Sequence, residues 1–217
     1  MKQKIIIFDF DGTIADSLEM LVTISNRLAV QFGYKQTSQI ELAQLKNLTS
    51  REIIKQSGIS IFKVPFLLRK VKAEMSPEIK TLSLFPGMRE VLIELDNIGH
   101  KLGIISSNSK SNILAFLEHN NLENIFYYIY SGTTVFGKDK VINKFTRQEN
   151  IDIADVVYVG DETRDIEAAK KSNVVAIAVS WGFNTKEALA KQNPDFLIAQ
   201  PQELINVLDS LSNSTPL

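Results

Sequence analysis

The sequence contains no cysteine. Disulfides, thiolate metal sites and cysteine nucleophiles are therefore excluded, and any chemistry must rest on oxygen and nitrogen groups. A charge bias is also missing: 24 basic side chains face 25 acidic ones, for a net charge of -1. No overall field draws the chain to nucleic acid or to a membrane surface. Long hydrophobic runs are absent too. The amino-terminal stretch MKQKIIIFDF holds four consecutive apolar residues before a charge. That is too few for a signal peptide or a membrane span, so a cytoplasmic protein is expected. No internal repeat is visible. What remains is 217 residues, 44% hydrophobic and 23% charged, enough for one large core or a core with a smaller companion.

Residues 4–10, KIIIFDF, are short, β-branched and aromatic, as expected of a strand buried on both faces. Leu18, Leu21, Val22, Leu28, Ala29 and Phe32 then recur at helical spacing over residues 17–32, and Gly33 can close that helix. Thr49 and Glu52 form a capping-box pattern opening a second helix, and residues 64–80 read as a third. No strand interrupts these helices. A Pro-Gly turn at 86–87 leads to a helix over 88–98, after which the rhythm alternates. Strands at 101–106, 126–131, 156–160 and 174–179 are separated by helices at 111–119, 140–149, 164–172 and 186–192. A short FLIA precedes a last helix at 201–211, and the tail, 212–217, is expected to fray. Alternation of this kind implies right-handed crossovers and an α/β, Rossmann-like, doubly wound parallel sheet. The expected organisation is a core of residues 1–14 and 85–217, interrupted after its first strand by an all-helical insert of residues 15–84.

Ligands of open α/β sheets bind beyond the carboxyl ends of strands. The first strand is followed by Asp9, Asp11, Gly12 and Thr13, and the second by Ser106, Ser107 and Asn108. After the third come Gly137 and Lys138, and after the fourth Asp161 and Asp165. Each has a plain structural alternative: Asp11 as turn chemistry, Ser106 as a helix cap, Lys138 as a surface lysine, Asp165 in a first helical turn. Asp9 is harder to explain that way, because an aspartate in a buried apolar run is costly unless paired or bound to metal. Three carboxylates within ~5 Å repel by roughly 3 kcal/mol per pair at an effective dielectric near 20, which a hard dication or a lysine reverses.

The set suits phosphoryl transfer. A carboxylate nucleophile attacks phosphorus, a second acid serves the leaving oxygen and then activates water, and hydroxyl, amide and ammonium donors hold the phosphoryl oxygens. Asp9 and Asp11, with the chain turning at Gly12, can fill the first two roles on one phosphoryl group.

DFDGT at 9–13, Ser-Ser-Asn at 106–108, Lys138 and GDETRD at 160–165 resemble the four ordered motifs of the haloacid dehalogenase superfamily, over essentially the whole chain. The resemblance implies Asp9 as nucleophile and magnesium ligand, and Asp11 as general acid/base lending its backbone carbonyl to the metal. Asp161 is implied as a metal ligand and Asp165 as a further acidic residue near it. The Ser106–Asn108 motif would bind the phosphoryl group, and Lys138 would steady that group and the nucleophile. The family's sheet order is third, second, first, fourth, fifth strand. GKDKV lacks the family's Lys-Pro pair, so Lys140 stays an alternative to Lys138, and the serine doublet leaves Ser106 and Ser107 as rival main contacts. Dehalogenating members lack the second aspartate, so Asp11 favours phosphoryl transfer.

The insert resembles the family's small helical cap, which closes over the core and selects substrate. There Arg51 either binds a substrate carboxylate or solvates a helix. VSWGFNTKEAL at 179–189 and NPDFLIAQPQEL at 193–204 most resemble phosphoglycolate phosphatases. The expectation is a magnesium-dependent phosphatase acting on a small phosphorylated metabolite, 2-phosphoglycolate being one, as a monomer or homodimer. Alternatives are a phosphomutase of the β-phosphoglucomutase type, a pyrophosphatase, and a phospho-receiver or non-catalytic phosphate/metal-binding module. In receivers, however, the acidic pair precedes the phosphorylated aspartate and no helical insert is present. His100 and His119 receive no role.

Overall fold

The computed structural model describes residues 3–132 and 137–213, so the end of the tail expected to fray, 214–217, lies outside the described residues. Among the described residues the order is β1 (Ile5–Phe8), α1 (Leu18–Phe32), α2 (Gln39–Leu45), α3 (Ser50–Ser57), α4 (Val64–Met75), α5 (Met88–Asn97), β2 (Lys101–Ile105) and α6 (Lys110–His119). Then follow β3 (Phe126–Tyr130), α7 (Lys138–Gln148), β4 (Val156–Gly160), α8 (Thr163–Lys171), β5 (Val175–Val179), α9 (Lys186–Ala190), β6 (Phe196–Ile198) and α10 (Glu203–Asn213). The strands form one parallel sheet in the order β3-β2-β1-β4-β5-β6. The FLIA stretch adds the sixth strand, which extends the five-strand order.

Side chains alternate across each strand and so divide the core in two. Ile6, Phe8, Leu102, Ile104, Val157 and Val159 pack on one face against α5, α6 and α10, where Phe10 meets Phe116 edge to face at 5.1 Å. Ile7, Val156, Tyr158, Ala176 and Ala178 pack on the other against α7, α8 and α9. Helices on both faces make the sheet doubly wound. Each large side chain buried here contributes roughly 1.5–3 kcal/mol.

β1 lies at the centre, with Ile5 level with both Lys101 of β2 and Val156 of β4. Its pairing continues past Phe8, since the Asp9 amide donates to the Val159 carbonyl (2.9 Å). The chain then turns at Gly12, whose φ of 80° is in the left-handed region that glycine tolerates. It leaves the sheet at Ala15, which forms isolated bridges to Asp11 and to Leu84, so the departing and returning segments touch.

Three elements differ from the sequence reading. α2 was not anticipated: it is seven residues long with no buried side chain, and its signal is a complete capping box between Ser38 and Glu41. The helix expected over 64–80 is α-helical to Met75 and becomes 3-10 over Ser76–Thr81, where Pro77 supplies no amide hydrogen to continue the pattern. α7 begins at Lys138 rather than 140, because Gly137, at φ 104°, redirects the chain immediately before it.

Candidate active site

The carboxyl ends of β1 and β4 bring Asp9, Asp161 and Asp165 together, buried, with one carboxylate oxygen of each within 4.8 Å of the others. Lys138, at the first turn of α7, enters from the third strand's side and donates to Asp9 Oδ2 (2.6 Å) and Asp165 Oδ1 (2.5 Å). Burial opposes its charge, but the Asp165 and Asp9 carboxylates outweigh that and hold its pKa well above the ordinary lysine value. The Tyr158 ring lies 5.7 Å beneath the ammonium. Lys140, the alternative on α7, makes no such contact among the described residues.

Asp165 also closes the start of α8, its Oδ2 accepting from the Glu162 amide (3.0 Å). Burial raises its pKa, the Lys138 charge works against that, and the Asp9 charge adds to it. Asp161 accepts from Thr13 Oγ1 (2.8 Å) and from the Phe183 amide (2.7 Å). Its pKa is pushed well above the carboxylate range by burial and by Glu162, Asp165 and Asp9. The Arg164 guanidinium pairs with Glu162. Four carboxylates, Asp9, Asp161, Glu162 and Asp165, thus gather around two cations, Lys138 and Arg164. Hard oxygen donors with an excess of negative charge and no nitrogen or sulfur ligand fit a hard divalent cation such as magnesium. Asp9, Asp161 and Asp165 would hold it.

Asp11 lines a cavity of about 560 Å³ that also reaches Asp161, Glu162 and Arg164. Both its carboxylate oxygens accept from Asn108 Nδ2 (3.2 and 3.0 Å). Loss of water, then the Asp9 charge, raises its pKa to about 6, against the opposing effects of Ser17, Asn108 and Arg164. Ser106 is buried, and its Oγ accepts from the Asn108 amide (3.1 Å), which orders the loop after β2. Ser107, half-buried, lines the cavity. Arg51 is exposed in the first turn of α3 and is not among the described residues lining the cavity.

Sequence reasoning offered Trp181 and Gly182 as rim-shaping or packing residues and missed the other supports. Gly182 lies so close that a Cβ there would stand 2.3 Å from the Gly12 carbonyl oxygen and 2.4 Å from Asp161 Oδ2. Trp181 Nε1 donates to the Thr13 carbonyl (3.1 Å). Asn184 accepts from the Thr163 amide (2.9 Å) while its Nδ2 donates to the Lys46 and Leu48 carbonyls (2.9 and 3.0 Å). The tract after β5 therefore holds the first and fourth motifs and the loop between α2 and α3 in one grip. Lys72 and Arg164, both lining the cavity, were also missed. The available signal was the glycine and amide content of WGFN, which suits close backbone approach and backbone capping.

Residues 6–179 match the model of the haloacid dehalogenase-like hydrolase family. A phosphoglycolate phosphatase of Synechococcus elongatus is 39% identical over 206 residues, covering 95% of this chain and 97% of that one. One from Vibrio cholerae is 23% identical over 94% and 96% of the two chains. Among solved structures, a haloacid dehalogenase-like hydrolase from Streptococcus pneumoniae superposes with a TM-score of 0.79 at 19% identity, over 95% of this chain and 98% of that one.

Proposed function

This chain belongs to the haloacid dehalogenase-like hydrolase family, and on that premise we propose that it is a magnesium-dependent phosphatase working through an aspartyl phosphate on a small phosphomonoester, 2-phosphoglycolate first among them. The observation that carries the reading is the division of labour between two carboxylates one residue apart. Asp9 is pinned by Lys138 in the acidic cluster, and Asp11 is held by Asn108 with a pKa near neutrality.

Asp9 attacks phosphorus: its Oδ–P bond forms as the bond from phosphorus to the ester oxygen breaks. Asp11 gives its proton to that departing oxygen, then takes one from the water that attacks the aspartyl phosphate and frees Asp9. A pKa of about 6 suits both directions of this transfer at neutral pH. Lys138 orients Asp9 and offers charge to the phosphoryl oxygens, with Ser106, Ser107 and the loop amides as further donors. A magnesium ion held by Asp9, Asp161 and Asp165 would offset the negative charge that a phosphoryl group brings to the site. Helices α1–α4 serve as a cap that excludes water from the cavity.

The test is phosphate release from 2-phosphoglycolate with magnesium, removed by chelation and by Asp9→Asn. Acid quenching and mass spectrometry should place a phosphoryl adduct on the Asp9 peptide. Isomerisation of a sugar phosphate without phosphate release would instead mark a mutase.

A further inference from the structure

The charged side chains lining the cavity are nearly all accounted for. Lys35 pairs with Glu41 (2.5 Å) and Arg164 with Glu162. Asp11 and Asp161 accept the hydrogen bonds described above. Lys72 is the exception: among the described residues its ammonium has no hydrogen-bond or ion-pair partner, although it is half-buried on α4 beside Val71 and Leu68 in the same wall. Burial disfavours its charge, and the charge of Asp11 restores it in part. A half-buried cation in an apolar wall is costly unless an anion joins it.

Its position is fixed with respect to the chemistry. Asn112 Nδ2 donates to the Lys72 carbonyl (3.0 Å) and to Asn108 Oδ1 (3.0 Å), while Asn108 Nδ2 donates to Asp11. Asn108 Nδ2 also touches Met75 Sδ at 4.0 Å, one turn further along α4. This chain of amides runs from the proposed acid/base to the backbone of Lys72. A substrate whose leaving oxygen faces Asp11 projects the rest of its body into the cavity that Lys72 lines.

We propose that Lys72 binds a second anionic group of the substrate, a carboxylate, and so selects phosphomonoesters that are also carboxylic acids. The inference rests on the phosphatase reading and names a selecting residue for it. Lys72 is a specificity residue, with no part in bond making.

The test compares 2-phosphoglycolate with ethyl phosphate, which lacks the carboxylate, in the full chain with magnesium. Wild type should favour the former, and Lys72→Met should lower kcat/KM for it about 10–100-fold, chiefly through KM, as loss of a hydrogen-bonded charge contact predicts. Ethyl phosphate should change little in its carboxylate-independent KM, and Lys72→Arg should recover most of the preference. Competitive inhibition gives a second readout that needs no turnover: phosphonoacetate should lose potency against Lys72→Met and ethylphosphonate should not. Equal losses on both substrates, or a wild type indifferent to the carboxylate, would overturn the inference and leave the phosphatase reading standing. Release of phosphate from neither substrate by wild type would overturn that reading, and this inference with it.

Discussion

Lys138 serves two carboxylates with one ammonium, all three side chains buried. Replacing it with methionine leaves Asp9 and Asp165 facing each other without a cation. Lys138→Met should abolish turnover and cost roughly 3–5 kcal/mol of stability at pH 7 without metal. The cost should shrink towards pH 5, as a proton takes the place of the missing charge; urea titrations at the two pH values measure both. Asp11 sits in a different electrostatic position. Its carboxylate is not in the cluster, so Asp11→Asn should lower kcat about 10²–10⁴-fold while isothermal titration still shows magnesium binding. The four motifs were legible because each places a charged or hydroxyl group where a buried strand ends, a position that propensity alone does not explain. Lys72 was not legible, since a lysine among Arg69, Lys70 and Glu74 reads as a solvated helix face. Only packing shows which lysine of α4 is turned into the cavity.

At the scale of elements, the Asn184 side chain joins α8 to the loop between α2 and α3, and Thr185 adds its amide to the Lys46 carbonyl (3.0 Å) and its hydroxyl to Asn47 Oδ1 (2.7 Å). Ser50 Oγ adds a bond to Glu162 (3.1 Å). Asn184→Ala should therefore cost about 1–3 kcal/mol and speed amide hydrogen exchange around residues 46–50 more than in β1 or β4. Uniform acceleration would show that the amide supports the whole fold instead of this junction. The alternating strands and helices were readable from hydrophobic period, because parallel strands buried on both faces are short apolar runs. The helices before β2 were less so. α2 buries nothing and therefore has no apolar stripe, and the change to 3-10 geometry at Ser76 depends on one proline near the end of an otherwise helical pattern.

For the molecule as a whole, the proposed metal site predicts a stability that depends on the cation. A cation bound only by the folded chain adds about 2.7 kcal/mol at a hundred times its Kd, which for this size raises Tm by about 5–10 °C. Asp161→Asn should remove that rise and increase the Tm of the metal-free protein, because it deletes one of the repelling charges; differential scanning calorimetry with and without chelator decides. His100 adds a second dependence. Its Nδ1 accepts from the Lys4 amide (3.0 Å), and burial holds its pKa below 6.5 despite the pull of Asp209. The folded chain keeps it neutral while the unfolded chain takes a proton below about pH 6.5, so its contribution is full above that pH and lost as pH falls. His100→Gln should flatten that part of the stability profile. Among the described residues no helix is long and apolar enough to cross a membrane. Finally, Ala15 bridges both Asp11 and Leu84, and the Asp16 amide donates to the Ser83 carbonyl (2.9 Å). The chain thus closes a neck before the first helix begins. For a lineage, such a neck would be a grafting point: with the proposed cap above it, segments of other lengths could be exchanged without breaking a rung of the sheet, and selectivity would be inherited separately from reactivity.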